Sequence, residues 1–179
     1  MDNLQTRFKK EISKKLQEEL KIKNVHEMPA ITKIVVNMGV RDAVADKKNM
    51  DAAIVQMTQI VGQKPKVTAA KTSIAAFKLR EGEKIGLVAT LRGKRMYDFF
   101  EKLTNVVFPR LRDFHGIKKD SFDGRGNFTL GFSEAAVFPE IDPGKIEKTQ
   151  GLEITIVTNA KDDKKGMALL TALGMPFTK

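Results

Sequence analysis

The chain contains no cysteine and no tryptophan, a single tyrosine, and two histidines. Without cysteine there is no disulfide, no thiolate zinc site and no thiol nucleophile, which suits a reducing compartment. His26 and His115 each stand alone, with no second ligand or base at the spacing that zinc binding or nucleophilic catalysis requires. Long apolar runs are also missing. Nothing approaches the roughly 18 residues of a membrane-spanning helix, and residues 1–23 place charge between apolar side chains at every turn, leaving no signal-peptide core. The chain is therefore expected to stay in the cytoplasm. Neither the phosphate-cradling Gly-x-x-x-x-Gly-Lys-Ser/Thr string nor the full dinucleotide fingerprint occurs. Gly124-Arg-Gly126 reads as a flexible turn, and Asp120 and Asp123 as turn residues lacking the alternating ligands and distal Glu of a calcium loop. No catalytic residue, cofactor, metal or small-molecule substrate is expected. Acids are outnumbered too: 22 Asp and Glu face 32 Lys and Arg, for a net charge of +10 and an isoelectric point near 9.7. Such a surface favours a polyanion, whether RNA, DNA or a lipid surface, with the last the poorest fit.

What is present is enough for one domain, residues 1–179, with a real core and excursions. Leu4, Phe8, Ile12, Leu16 and Leu20 recur every fourth residue with Arg7, Lys9, Lys10, Lys14 and Lys15 between them, predicting an amphipathic helix in a region that Pro29 ends. Residues 46–61 predict a second helix on Met50, Ala53, Ile54, Met57 and Ile60, with Gly62 as its cap. A third follows on Met96, Phe99, Phe100, Leu103 and Val107, closed by Pro109. Asp162 would cap a last helix carrying Met167, Leu170 and Leu173, terminated by Gly174 and Pro176.

Four segments alternate instead. Ile34, Val36 and Met38 oppose Lys33, Val35, Asn37 and Gly39. Leu87, Ala89 and Leu91 oppose Val88, Thr90 and Arg92. Phe128, Leu130 and Phe132 oppose Thr129, Gly131 and Ser133, and Leu152, Ile154 and Ile156 oppose Glu153, Thr155 and Val157. A period of two marks half-buried strands. Residues 67–70 are a short strand candidate inside a basic stretch, 63–83, whose remainder reads as a loop. Together these predict an α+β fold: an antiparallel sheet with helices on one face, an open polar face nearly free of acids apart from Glu153, and extended loops. Such a face suits phosphates, riboses and base edges. The alternation alone fits an ordinary solvated sheet face equally well.

Six strings occur in order: Ile60-Val-Gly-Gln-Lys-Pro65, Lys71-Thr-Ser-Ile-Ala-Ala-Phe-Lys-Leu-Arg-Glu-Gly82, Thr90-Leu-Arg-Gly93, Phe108-Pro-Arg-Leu-Arg-Asp-Phe114, Ser121-Phe-Asp-Gly-Arg-Gly-Asn127 and Ala172-Leu-Gly-Met-Pro-Phe177. Nearly end to end, the chain resembles the bacterial large-subunit ribosomal protein that binds 5S ribosomal RNA, number five of the large-subunit series. The resemblance implies a structural, non-enzymatic constituent of the ribosome's central protuberance that helps attach 5S rRNA to 23S rRNA. It implies 5S contacts at Asn37, Gln63, Phe77 and Thr90, with Lys33, Lys64, Lys71 and Arg92 neutralising phosphates; the lesser alternative for Phe77 is local loop packing. It implies a basic loop against the P-site tRNA, including Thr72, Ser73, Ala76, Lys78 and Arg80. It also implies a bridge to a protein of the small-subunit head through Arg110, Arg112, Asp113, Glu140 and Asp142, a mixed set that also fits a plain soluble turn and surface. The chain departs from the family at Lys66, where an apolar residue is common, at Ala76, where glycine is, and at Ala69 and Thr72, where basic residues are frequent. Alanine at position 76 is expected to narrow the loop's conformational freedom.

Overall fold

The alternating segments pair with one another. A computed structural model of the chain describes residues 3–22, 24–44, 46–111, 114–142, 144 and 150–178. In it β1 (Ile31–Gly39), β2 (Lys66–Ala69), β3 (Lys84–Leu91), β4 (Phe128–Phe132) and β5 (Leu152–Thr158) form one open sheet in the order β2-β3-β1-β5-β4. The pairing is antiparallel. Lys66 lies opposite Val88 and Thr68 opposite Gly86, while Thr32 Oγ1 donates to Val157 O and Asn37 reaches Glu153 as the two strands run in opposite senses. β2 begins and ends one residue earlier than the sequence suggested, and its register slips between Thr68 and Ala69, which still pairs with Lys84. By residue contacts the chain parts into two compact units, one of Met1–Ile34, Leu91–Leu130 and Thr155–Lys179, the other of Val35–Thr90 and Gly131–Ile154.

The first unit holds most of the helices. α1 (Leu4–Arg7), a π-helical segment Phe8–Ile12 and α2 (Ser13–Glu19) run on continuously. An apolar residue every fourth position drifts by about 40° per repeat around a 3.6-residue turn. The wider i→i+5 turn at Phe8–Ile12 counters that drift, so Leu4, Ile12 and Leu16 all stay buried. Phe8 then packs its ring against Tyr97 at 6.0 Å. A second π segment, Leu103–Val107, joins α4 (Gly93–Lys102) to α5 (Phe108–Arg110). Pro109 falls one residue before the helix ends at Arg110, and the chain turns extended at Leu111, so the helix closes where its sequence position implied. α6 (Asp163–Ala172) is capped by Asp162, whose side chain accepts from Lys164 N. Its buried stripe is Gly166, Leu169 and Leu170, with Met167 only half-buried.

In the second unit, α3 (Lys47–Val61) is capped by Asp46 and ended by Gly62 at φ 69°. A cap is worth about 1 kcal/mol, whereas each buried Met or Ile contributes roughly 1.5–3 kcal/mol. The stripe Met50, Ala53, Met57 and Ile60 thus holds α3 in place more than its cap does. Its counterparts on the strands are Val36, Met38, Leu87 and Ala89, all buried. The intervening side chains of the same strands are left uncovered.

Candidate nucleic-acid interface

The uncovered side of the second unit carries Lys66 and Thr68 from β2, Val88 and Thr90 from β3, Val35 and Asn37 from β1, and Glu153 from β5. Asn37 is exposed and Thr90 half-buried. Val40 N donates to Ile85 O, a register that puts Thr90 near Val35, one pleat repeat along from Asn37 and on the same face. Gln63, half-buried just after α3, donates through Nε2 to Thr90 O at 3.5 Å. Asn37, Gln63 and Thr90 are thus brought together. Asn37 also has an internal partner: its Nδ2 donates to Glu153 Oε2 at 3.4 Å. That amide is steered by a carboxylate 116 positions away in sequence.

Phe77 is not on the sheet. It lies in a short 3-10 turn, Ala75–Phe77, at the tip of the excursion between β2 and β3. The ring is 58% exposed, and the Arg41 guanidinium sits 5.4 Å from its centroid, a cation–π contact that holds the ring without covering it. Arg41, Phe77 and Lys78 line an apolar hollow of about 650 Å³ with Gly39, Val44 and Ile85. Alternation could not flag Arg41, which follows the end of β1. The excursion itself is ordered. Ile74 and Leu79 form a bridge, Ser73 Oγ accepts from Glu81 N, and Glu83 accepts from Arg80 N. Thr72, Ser73, Ala76, Lys78 and Arg80 are all exposed on it or half-exposed, as are Lys71 and Lys64. Ala76 is free of positive φ, so alanine there carries no left-handed strain. The left-handed residue is Lys78, at φ 53°.

Lys33 (half-buried) and Arg92 (exposed) belong to the first unit by their neighbours in β1 and just after β3. Arg110 is exposed at the end of α5 in that unit, whereas Glu140 and Asp142 stand exposed in the second, where Asp142 Oδ1 accepts from Gly144 N at 3.1 Å. Arg112 and Asp113 lie outside the described residues. The turn around Gly124 and Gly126 is pinned rather than flexible. Asp163 accepts from Gly126 N at 2.8 Å and Gly124 N at 3.2 Å, so a carboxylate already fills the place a phosphate would need.

Asp123 closes the same turn. The Asn127 amide above all, helped by the N–H groups of Arg125 and Asn127, holds its carboxyl below the usual range against a smaller upward push from burial. A lowered folded pKa means the contribution is present above the unfolded value and is lost as pH falls through the folded one. The turn is therefore expected to loosen below about pH 4. Amide-exchange protection at Arg125 and Asn127 checks this: it should fall in acid toward the level of Asp123→Ala at neutral pH, and protection that stays constant would refute it.

Among the described residues no group of three His, Cys, Asp or Glu side chains could hold a metal, and no helix is long and apolar enough to cross a membrane. An open polar sheet face beside a basic excursion fits a structural nucleic-acid-binding protein. Two family profiles match: ribosomal protein L5 over residues 24–80, and the C-terminus of the same ribosomal protein family over residues 84–177. The large ribosomal subunit protein uL5 of Mesoplasma florum is 54% identical over 98% of both chains, and that of Desulfatibacillum aliphaticivorans is 54% identical over the whole of both. The chain belongs to the uL5 family of large-subunit ribosomal proteins. It is a structural, non-enzymatic constituent of the ribosome in the cytoplasm.

Proposed function

We propose that this chain acts as one RNA-binding domain that binds 5S rRNA on its open sheet face and helps attach it to 23S rRNA in the central protuberance. What carries the reading is the cluster of Asn37, Gln63 and Thr90 on an uncovered surface in a chain of net charge +10. Amide and hydroxyl groups there can pair with base edges and 2′-hydroxyls, and the half-exposed Phe77 ring over Arg41 offers a surface on which a base can stack. Lys33, Lys64, Lys71 and Arg92 neutralise phosphates. The excursion, through Thr72, Ser73, Ala76, Lys78 and Arg80, meets the P-site tRNA. Arg110, Arg112, Asp113, Glu140 and Asp142 form the bridge to a small-subunit head protein.

A gel shift with purified 5S rRNA tests the central claim. Asn37→Ala and Thr90→Ala should each weaken binding by about 1 kcal/mol, roughly fivefold, because an RNA polar group is left without its partner. Glu153→Gln should do the opposite. It removes the acid from the face while keeping an acceptor for Asn37, and should tighten binding about two- to threefold at low salt. Normal binding by both neutral variants while they remain folded would end the proposal.

A further inference from the structure

The string Ser121-Phe-Asp-Gly-Arg-Gly-Asn127 plays no part in the open face, yet it holds the only Asp-Gly pair in the sequence, which has no Asn-Gly pair. Aspartate before glycine is the backbone's weak point for cyclisation, because no β-carbon shields the glycine nitrogen and glycine gives the chain the freedom that ring closure needs. The glycine nitrogen gives up its proton and attacks the side-chain carboxyl carbon. A carbon–nitrogen bond forms, the carboxyl hydroxyl leaves as water, and a five-membered succinimide results. Water then adds back at one ring carbonyl. Opening at the side-chain carbonyl restores aspartate, whereas opening at the backbone carbonyl leaves isoaspartate, in which the chain runs through the former side chain. Nothing is oxidised or reduced, and the backbone becomes longer by one methylene.

In this protein both reacting groups are engaged. Asp123 Oδ1 accepts from Arg125 N at 2.9 Å and Asn127 N at 3.1 Å, and its Oδ2 accepts from Asn127 Nδ2 at 2.6 Å. Gly124 N, the nucleophile, donates to Asp163 Oδ2 at 3.2 Å. The carboxyl therefore cannot turn toward Gly124 without losing three bonds, and the nitrogen cannot reach it without leaving Asp163. The same contacts, the Asn127 amide foremost, hold the Asp123 carboxyl below its usual range. A carboxylate is the poorer electrophile, because it carries no hydroxyl to leave as water. Asp163 is the first residue of α6 and also accepts from Gly126 N at 2.8 Å. The seat there is tight: a Cβ at Gly126 would lie 2.9 Å from both Ala160 Cβ and Asp162 O. Without Asp163, Asp123, Gly124 and Arg125 are left as an exposed turn closed mainly by neighbours in sequence, and such segments open far more often than a core does.

We propose that Asp123–Gly124 is a site of isoaspartate formation that Asp163 holds shut, so that the docking of α6 decides whether this bond isomerises. Conversion is one-way in its effect, since an added methylene moves Gly126 out of a seat that has no slack. Full-length wild type, Asp163→Ala and Asp163→Asn are held folded at mildly acid pH and sampled over weeks, beside wild type unfolded in urea. The tryptic peptide Asp120-Ser-Phe-Asp-Gly-Arg125 reports conversion, because its isoaspartyl form separates by chromatography and fragments differently. Folded wild type should convert at least about tenfold more slowly than the unfolded chain. Asp163→Ala should convert about fivefold or more faster than folded wild type, and Asp163→Asn, which keeps one accepting oxygen, at a rate between the two. Asp120, exposed and followed by Ser121 in the same peptide, is the internal standard, and its conversion should not change with position 163. Ile60→Val, which loosens the core of the second unit by a similar amount, should match the wild type at Asp123. Equal rates for folded and unfolded wild type overturn the proposal, as does an Asp163→Ala rate no higher than the wild type's. A rise with Ile60→Val as large as with Asp163→Ala also overturns it, since general loosening would then be the cause. Should Asp163→Ala fail to fold, Asp163→Asn, faster than the wild type or not, decides by itself.

Discussion

Gly166→Ala should lower the thermal midpoint by about 4–8 °C, although replacing a mid-helix glycine with alanine ordinarily stabilises a protein by about 1 kcal/mol. The sign reverses because of what the new methyl group would meet. A Cβ at Gly166 would stand 2.7 Å from Gly126 O and 2.9 Å from Gly126 Cα. Both are backbone atoms, and neither is free to move: Gly126 N is held by Asp163 and Gly126 O by Thr158. Overpacking against immobile atoms costs typically 1–3 kcal/mol. Relief would require α6 to part from the turn and break bonds to Asp163 and Thr158 as well, so a net loss of about 2 kcal/mol is expected after the gain in helix propensity. Gly131→Ala is the matched control, since an added Cβ there has nothing within 4 Å. Calorimetry of the two variants beside the wild type checks the difference. A Gly166→Ala midpoint at or above the wild type would show that α6 and the turn are not packed as described.

Binding to 5S rRNA should weaken roughly 250-fold between about 50 and 200 mM salt. Each phosphate neutralised by a lysine or arginine releases counterions and adds about 0.7–0.9 to the slope of log affinity against log salt, so about five contacts give a slope near −4. Lys33, Lys64, Lys71 and Arg92 are the cations assigned to 5S rRNA, Lys78 and Arg80 of the excursion can add to them when no tRNA is present, and every one of the six is at least partly open to solvent. Neutral contacts behave differently. Asn37→Ala and Thr90→Ala should shift the whole line downward without changing its steepness, whereas removing any one lysine should flatten it by about one unit or less. Filter binding at several salt concentrations separates the two behaviours. A flat line for the wild type would mean that the net charge of +10 is not what brings RNA to this chain.

The alternation of Val36 and Met38 against Asn37, and of Leu87 and Ala89 against Thr90, was legible without any structure. A period of two is a local property, and the apolar set has only one face on which to be buried. The caps at Gly62 and Asp162 were legible for a similar reason, since a helix end is closed by residues within one turn of it. Pro109 marked the end of its helix to within one residue, whereas nothing in the sequence marked the π segment that precedes it. Phe77 was picked out by its family string, yet its seat on Arg41 at the tip of an excursion depends on a partner far earlier in the chain and beyond the end of a strand.

From its amino acids alone, then, the chain determined its charge, its lack of thiols, the type of most elements, and which strand side chains would face water. Composition and short-range periodicity suffice for these because each depends on neighbours within about one turn or one pleat. Tertiary structure alone decided the strand order β2-β3-β1-β5-β4, the tethering of Asn37 by Glu153, and the bonding of the Gly126 turn to Asp163 of α6. Those outcomes turn on which distant segments meet, and meeting is set by the burial of apolar faces that many pairings would satisfy locally and only the whole chain can satisfy at once.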